Sequence, residues 1–202
     1  YKPLLLVPLL ALLALPLVGS GATWLTLTVA GLAMGMIIFI IASGLTLVFG
    51  LMDVLNFGHG VFIALGAFVA TSVLGAMGDW TGSGDIWRNL VAVLPAMVVA
   101  MLVAGAVGLA FERFIVRPVY GQHLKQILIT MGGMIIGEEL IKVVWGPTLV
   151  AIEMPAALRG VFTIGDATVE KFRMVATVIG LVVLAIMLYT LNRTKLGLLI
   201  RA

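Results

Sequence analysis

Long apolar runs alternate along the chain with short segments that carry most of its polar and charged side chains. A helix needs roughly 20 apolar residues to cross a bilayer. Each run is continuous and does not alternate between apolar and polar positions, which favours helices over the strands of an outer-membrane barrel. The pattern therefore predicts an all-α, polytopic membrane bundle with about six transmembrane helices in a single transmembrane domain over 1–202. The six predicted spans are 3–19, 23–49, 61–77, 90–111, 126–146 and 174–191.

Composition supports the same class of protein. Hydrophobic residues make up 62% of the 202 residues, charged residues only 10%, and the mean hydropathy is +1.24. A soluble chain of this length could not cover so much apolar surface, whereas a bilayer accepts it. The sequence contains no cysteine, which excludes disulfides and thiolate metal sites.

Basic residues predict the orientation, because Lys and Arg near the ends of spans favour the cytoplasmic side. If six spans alternate, the basic clusters all fall on one side, and the loops 78–89 and 147–173 fall on the other. We therefore expect both ends of the chain to be cytoplasmic. The net charge of +3 comes from these spaced loop residues, so no nucleic-acid partner is expected. The residues on the cytoplasmic side are Lys2, Arg113, Arg117, Lys125, Arg193, Lys195 and Arg201.

A polar motif between spans 2 and 3 contains the main candidate site residues. Asp53, Asn56 and His59 lie there beside Gly58 and Gly60. As a structural cap, Asp53 or Asn56 would accept backbone N–H bonds at the start of span 3, while the glycines relieve crowding at the turn. As a broken-helix element, the same unwound backbone would line a transport path. The residues alone leave these two interpretations open.

Catalysis and metal binding are poorly supported by this motif. One His and one Asp without a second cluster offer neither a nucleophile with its base nor a set of metal ligands. We therefore predict no catalytic residue, no metal and no cofactor.

Small residues one helical turn apart predict close helix packing in three spans, because they let backbones approach each other. This spacing is common in proteins with several spans, so it specifies no function. The residues are Gly31 and Gly35, Gly133 and Gly137, and Ala100, Ala104 and Gly108.

Three charged residues interrupt span 5. Glu138 and Lys142 are four residues apart on one helix face, where they could pair, and Glu139 lies beside them. These side chains either reach the membrane surface near Trp145 or give a translocation path a polar lining. The sequence does not distinguish these two interpretations.

The polar motif and its flanks resemble the signature of the LivH-type inner-membrane permeases of branched-chain amino acid ABC transporters. Two weaker matches follow in the expected order, ERFIVRPVYG at 112–121 and TKLGLLIRA at 194–202. The family continues beyond this point, so we expect the chain to be incomplete at its C-terminal end. The matching residues of the signature are Gly44, Leu45, Leu47, Phe49, Gly50, Asn56, Phe57, Gly58, His59, Gly60, Leu65, Gly66 and Ala67.

The resemblance implies a permease subunit that is not itself an enzyme. Its implied partners are a homologous permease subunit, two cytoplasmic ATPase subunits and a periplasmic amino-acid-binding protein. The sequence contains no G-x-x-x-x-G-K-[ST] loop, so another chain would hydrolyse ATP. The loops at 78–89 and 147–173 would meet the binding protein, and Arg193, Lys195 and Arg201 would lie near the ATPase. The resemblance also implies a narrow apolar lumen between spans 2, 3 and 5.

Other functions remain open at this stage. A permease for urea or short amides would share the same signature. An ion-coupled secondary transporter would use Asp53, His59 and Glu138 as relays, and a purely structural membrane subunit would use none of them. From the signature, we expect Asn56 and His59 to hold the helix break more than to touch the substrate.

Overall fold

The computed structural model of the chain describes residues 2–52, 54–148, 150 and 154–194. Each of the six predicted spans coincides with a helix, and every boundary falls within four residues of the predicted one. The all-α prediction is therefore confirmed. The α-helices of the described residues are α1 Lys2–Val18, α2 Gly21–Met52, α3 His59–Ala76, α4 Gly78–Thr81, α5 Ile86–Phe111, α6 His123–Trp145 and α7 Lys171–Arg193.

The chain divides into two compact units. The first comprises 1–42 and 158–202, and the second comprises 43–157. The boundary between them falls inside α2, so the polar motif and helices α3 to α6 belong to the second unit.

The first unit contains a β-hairpin that the sequence analysis missed. Strands β1 (Val161–Ile164) and β2 (Ala167–Glu170) pair antiparallel, and Gly165 turns the chain between them with φ of +61°. The Thr26 hydroxyl of α2 donates a hydrogen bond to the Thr168 carbonyl at 3.0 Å. Strands of four residues are too short to produce a recognisable alternating pattern, which explains why only a loop was predicted here.

Glycine also allows close packing within this first unit. A Cβ at Gly180 of α7 would collide with the Met36 side chain of α2, so only glycine fits at this contact. Ala176 lies one turn before Gly180, but the sequence analysis did not single out this pair.

Small residues bring α3 and α5 together in the second unit. Helix α5 begins at an N-cap, where the Asp85 carboxylate accepts the N–H of Trp87 at 3.0 Å. Along α5, Ala92, Ala96 and Ala100 are buried at intervals of four residues. Their spacing places them on one face of the helix, where small side chains permit close approach.

Irregular helical turns connect α5 to α6. A π-helical turn follows α5 at Glu112–Val116, and a 3₁₀ turn follows at Arg117–Val119. Sequence periodicity predicted only a basic connecting segment here. Helix α6 ends at Trp145 and is followed by Gly146, whose φ of +90° favours glycine.

Four described helices are long and apolar enough to cross a membrane by length and composition: α2, α3, α5 with its following turns, and α7. Only 0–17% of the residues in their apolar windows are buried within the chain, so their apolar surface faces outward. This is expected for a membrane protein. The apolar part of α1, Leu5–Val18, is shorter. Helix α6 contains four charged residues, Lys125, Glu138, Glu139 and Lys142, and is not among these four helices.

Candidate functional site

The polar motif forms a break between α2 and α3. Helix α2 ends at Met52 and α3 begins at His59, with non-helical backbone at 54–58. The Asn56 Oδ1 accepts the N–H of Gly58 at 3.0 Å, which closes a turn that leads into α3. Asp53, for which a role was predicted, lies outside the described residues.

His59 packs against α2 at the first glycine of the signature. A Cβ at Gly44 would lie 3.0 Å from His59 Cε1 and 3.2 Å from Nε2. The imidazole therefore occupies the space that a side chain at position 44 would need. Gly44 and His59 are 15 positions apart in sequence, and the fold makes them direct neighbours.

Helix α6 holds the break from the other side. The hydroxyl of Thr130, which is fully buried, lies 3.2 Å from the Leu55 carbonyl and 2.8 Å from the Gln126 carbonyl. Gly58 is buried, and a Cβ there would lie 3.5 Å from the Thr130 carbonyl oxygen. Sequence reasoning missed Thr130. The only available signal was a hydroxyl residue within an apolar helix, which more often bonds to its own backbone.

A cavity of about 620 Å³ lies beside the helix break. Apolar groups form most of its lining, and it is called here the polar cavity because three polar side chains also reach it. Among its lining residues are Asn56, His59 and Glu112. The Tyr120 hydroxyl donates to Glu112 Oε1 at 2.5 Å. Partial burial, together with the bond to Glu112 and its negative charge, raises the pKa of Tyr120 to about 12. The phenol therefore remains a proton donor at physiological pH.

A second cavity, of about 390 Å³, is lined almost entirely by apolar groups and is called here the apolar cavity. Its walls come from α3, the end of α5 with the π-helical turn, and α6. The sequence analysis expected an apolar lumen between spans 2, 3 and 5. Spans 3 and 5 do line this cavity, but span 4 takes the expected place of span 2. Its lining residues are Gly58, Val61, Phe62, Leu65, Val107, Phe111, Ile115, Gly133, Ile136, Gly137, Leu140, Ile141, Val144 and Trp145.

Two aromatic rings line both cavities. Phe62 of α3 and Phe111 of α5 make an edge-to-face contact, with ring centroids 5.5 Å apart and planes inclined at 66°. The pair therefore lies between the apolar cavity and the polar cavity.

The predicted packing glycines differ in their surroundings. A Cβ at Gly137 would lie 2.6 Å from Val61 Cγ1, and one at Gly133 would lie 2.5 Å from Phe111 Cζ. Both glycines therefore allow α6 to pack closely against its neighbours. At Gly31 and Gly35 of α2, a Cβ would meet no described atom within 4 Å. The same is true of Gly60.

The charged residues of α6 form an ion pair. Lys142 Nζ lies 2.7 Å from Glu139 Oε1, whereas the sequence analysis considered a pair with Glu138. Spacings of three and four residues both bring side chains together on a helix, and the structure uses the shorter one. Lys142 and Glu139 side chains are 50% and 63% exposed, and Glu138 lines neither cavity.

Asn89 organises the segments on the predicted outer side. It is 3% exposed, and its amide nitrogen lies within 3.1 Å of the carbonyls of Trp80, Ser83 and Asp85. Its Oδ1 accepts the N–H of Ala157 at 3.0 Å. One buried amide thus holds the 78–89 segment and the 154–158 segment together. An isolated Asn at the start of an apolar helix gave no signal of this role.

The predicted ATPase-contact residues are described only in part. Arg193 is the last residue of α7. Lys195 and Arg201 fall outside the described residues. In the described part of the chain, no group of three or more His, Asp or Glu side chains could hold a metal ion.

The fold and the cavities define a helical membrane protein whose signature segment forms a helix break beside two cavities. A family model described as "Branched-chain amino acid transport system / permease component" matches residues 27–202. The chain belongs to this family.

Known permease proteins resemble the chain over much of its length. It is 30% identical over 141 residues to LivH of Escherichia coli K12, described as a high-affinity branched-chain amino acid transport system permease protein. It is 28% identical over 138 residues to LivH of Salmonella typhimurium. Each match covers 68% of this chain and 43% of the relative. BraD of Pseudomonas aeruginosa, a permease protein of the same description, is 32% identical over 109 residues, which cover 52% of this chain and 33% of BraD.

The matched segment thus spans less than half the length of these relatives. No solved structure matches the chain.

Proposed function

We propose that this chain is part of an inner-membrane permease subunit of an ABC importer that carries branched-chain amino acids. Family membership provides the class of protein. The observation that carries the substrate class is the apolar cavity beside the helix break. Its walls present aliphatic and aromatic side chains from three helices, which suit an aliphatic side chain through contact and exclusion of water.

The same cavity favours amino acids over urea and short amides. Urea is polar on every side, so burial in an apolar cavity would leave its donors and acceptors without hydrogen bonds. An aliphatic amino acid has a polar end and an apolar end. The apolar cavity suits the second, and Asn56, His59 and Glu112 offer hydrogen-bonding groups to the first when the amino acid reaches the polar cavity.

The proposed mechanism requires further subunits. A homologous permease subunit would complete the path, two cytoplasmic ATPase subunits would drive alternation between two packings of the bundle, and a periplasmic protein would deliver the amino acid. The segments held together by Asn89 would face that binding protein, and the end of α7 at Arg193 would face the ATPase. Both ends of the present chain would then be cytoplasmic. The polar motif would hold the helix break at the cytoplasmic end of α2.

The test is uptake by the complete transporter in proteoliposomes. The protein encoded by the full reading frame that contains this chain is purified with its companion subunits. Uptake of labelled leucine, isoleucine, valine and urea is then measured with ATP and binding protein supplied either inside or outside the vesicles. We expect ATP-dependent uptake of the three amino acids only. Uptake of urea alone would favour the amide permease. Amino-acid uptake that stops with an uncoupler while ATP is maintained would favour ion coupling.

A further inference from the structure

We propose that Phe111, paired with Phe62, is the gate that closes the path between the apolar cavity and the polar cavity. This inference rests on the proposed transport function. It assigns a specific role to two residues. Neither the polar motif nor the glycine spacing had pointed to either of them.

The position of the pair is the first observation. Phe62 and Phe111 are the aromatic residues that line both cavities, and their rings are in edge-to-face contact. A solute that moves from one cavity to the other along this route has to pass these rings. Asn56 and His59 line the polar cavity but not the apolar cavity.

The backbone of α6 limits where the Phe111 ring can go. A Cβ at Gly133 would lie 2.5 Å from Phe111 Cζ, which is far inside van der Waals contact. The ring is therefore held between the Phe62 ring and the backbone of α6. It closes the route without leaving room for a side chain at position 133.

The backbone next to Phe111 provides a means of moving the ring. The π-helical turn at Glu112–Val116 begins at the following residue. π-helical turns inside longer helices are rare and frequently occur at functional sites, since they interrupt the regular hydrogen-bond ladder. Conversion of this turn to α-helix would change the helical register and rotate the residues on one side of it relative to the other. Phe111 adjoins that change directly.

The experiment measures leakage through the complete transporter in proteoliposomes without ATP or binding protein. Vesicles are loaded with labelled leucine and, as a check on membrane integrity, labelled maltose. We expect Phe111→Ala to raise leucine efflux at least fivefold over wild type, with maltose retained. Phe114→Ala is the matched control, because Phe114 lies three residues away, is 73% exposed and lines neither cavity. Its leucine efflux should equal that of wild type.

A second pair of variants tests the contact with α6. Gly133→Ala should displace the Phe111 ring and lower ATP-driven leucine uptake at least fivefold in transporter that still assembles. Adding Phe111→Ala removes the ring that the new methyl group would meet, so the double variant should leak leucine as fast as Phe111→Ala alone. A purely structural role for Phe111 would relieve the collision in the double variant without raising its leucine efflux.

The outcomes separate this inference from the proposed function. If wild-type transporter takes up no aliphatic amino acid, the proposed function fails and the gate fails with it. If wild type transports leucine but Phe111→Ala leaks no more than Phe114→Ala, only the gate is overturned. Should Phe111→Ala fail to assemble, Phe111→Leu serves instead. It should raise efflux about twofold, and unchanged efflux in assembled Phe111→Leu transporter also overturns the gate.

Discussion

At the scale of single residues, the helix break depends on a few short-range contacts that each satisfy a backbone group or fill a specific space. Asn56 provides an acceptor for the Gly58 N–H, and Thr130 lies within hydrogen-bonding distance of the Leu55 carbonyl. His59 fills the space beside Gly44. In apolar surroundings an unpaired backbone group costs several kcal/mol, which explains why the unwound segment needs these side chains.

The contact between Gly44 and His59 predicts a non-additive pair of substitutions. Gly44→Ala should lower the stability of the purified transporter by about 1 kcal/mol, because its methyl group requires the imidazole to shift. In a transporter that already contains His59→Ala, the same substitution should leave the stability unchanged. Apparent melting temperatures from fluorescence-detected size-exclusion chromatography would measure this coupling.

Gly75→Ala provides the control for that cycle. Gly75 lies on α3, and a Cβ there would meet nothing within 4 Å. Its substitution should have the same small effect with or without His59. If Gly44→Ala lowers the stability equally with and without His59, the contact between Gly44 and His59 is wrong.

Loss of the Asn56 acceptor should destabilise the break itself. We expect Asn56→Ala to lower the stability by about 1 kcal/mol, the typical net contribution of one hydrogen bond. Uptake of leucine, isoleucine and valine should fall by the same factor, since the substitution acts on the fold. Asn56→Ser retains an acceptor for a similar turn and should recover part of the loss. Uptake assays that show a changed order of substrate preference would instead place Asn56 in contact with the substrate.

At the scale of helices, small residues determine which elements can pack together. Helix α6 approaches α3 at Gly137 and the end of α5 at Gly133. The stripe of Ala92, Ala96 and Ala100 gives α5 a similarly flat face. Without a hydrophobic driving force inside a bilayer, such close backbone approach is a main source of helix association.

The approach of α6 to α3 yields a matched set of variants. Gly137→Ala should lower the stability of the transporter by about 1–3 kcal/mol, because the new methyl group would lie 2.6 Å from Val61 Cγ1. Gly132→Ala, on the same helix but with nothing within 4 Å, should be neutral. Thermal unfolding of the purified transporter measures both.

Val61→Ala supplies the rescue for this helix contact. Removal of both Val61 methyl groups should make Gly137→Ala nearly harmless in the double variant. If the double variant melts at the temperature expected from the sum of the single losses, the proposed collision at Gly137 is wrong.

At the scale of the whole molecule, charge predicts which loops face each side of the membrane. Four described helices meet the length and hydropathy expected of spans, and α1 and α6 complete the predicted six. With six spans, charge predicts that the hairpin turn at Asp166 faces outward and that Gln122 before α6 faces the cytoplasm.

Single cysteines would test this topology directly, because the sequence contains none of its own. In intact spheroplasts, a membrane-impermeant maleimide should label Asp166→Cys. It should label Gln122→Cys only after the membrane is opened. Both residues are exposed, so accessibility within the protein does not limit the reaction. Labelling of Gln122→Cys in intact spheroplasts would reverse the predicted orientation.

The sequence by itself determined the membrane class, the positions of the six helices and the family signature. These features follow from continuous apolar runs and from local residue order, which do not depend on how the helices pack. The Asn56 turn could also be anticipated, because an Asn side chain bonds to backbone only two residues away.

Only the tertiary structure decided which distant residues meet. It placed His59 against Gly44, Thr130 beside Leu55, and Phe62 with Phe111 between the two cavities. It also paired Lys142 with Glu139 and lined the apolar cavity with span 4. The long spans are apolar over most of their length, so hydropathy does not indicate which face meets which neighbour. That choice depends on the shape of the packed side chains, which exists only once the helices are assembled.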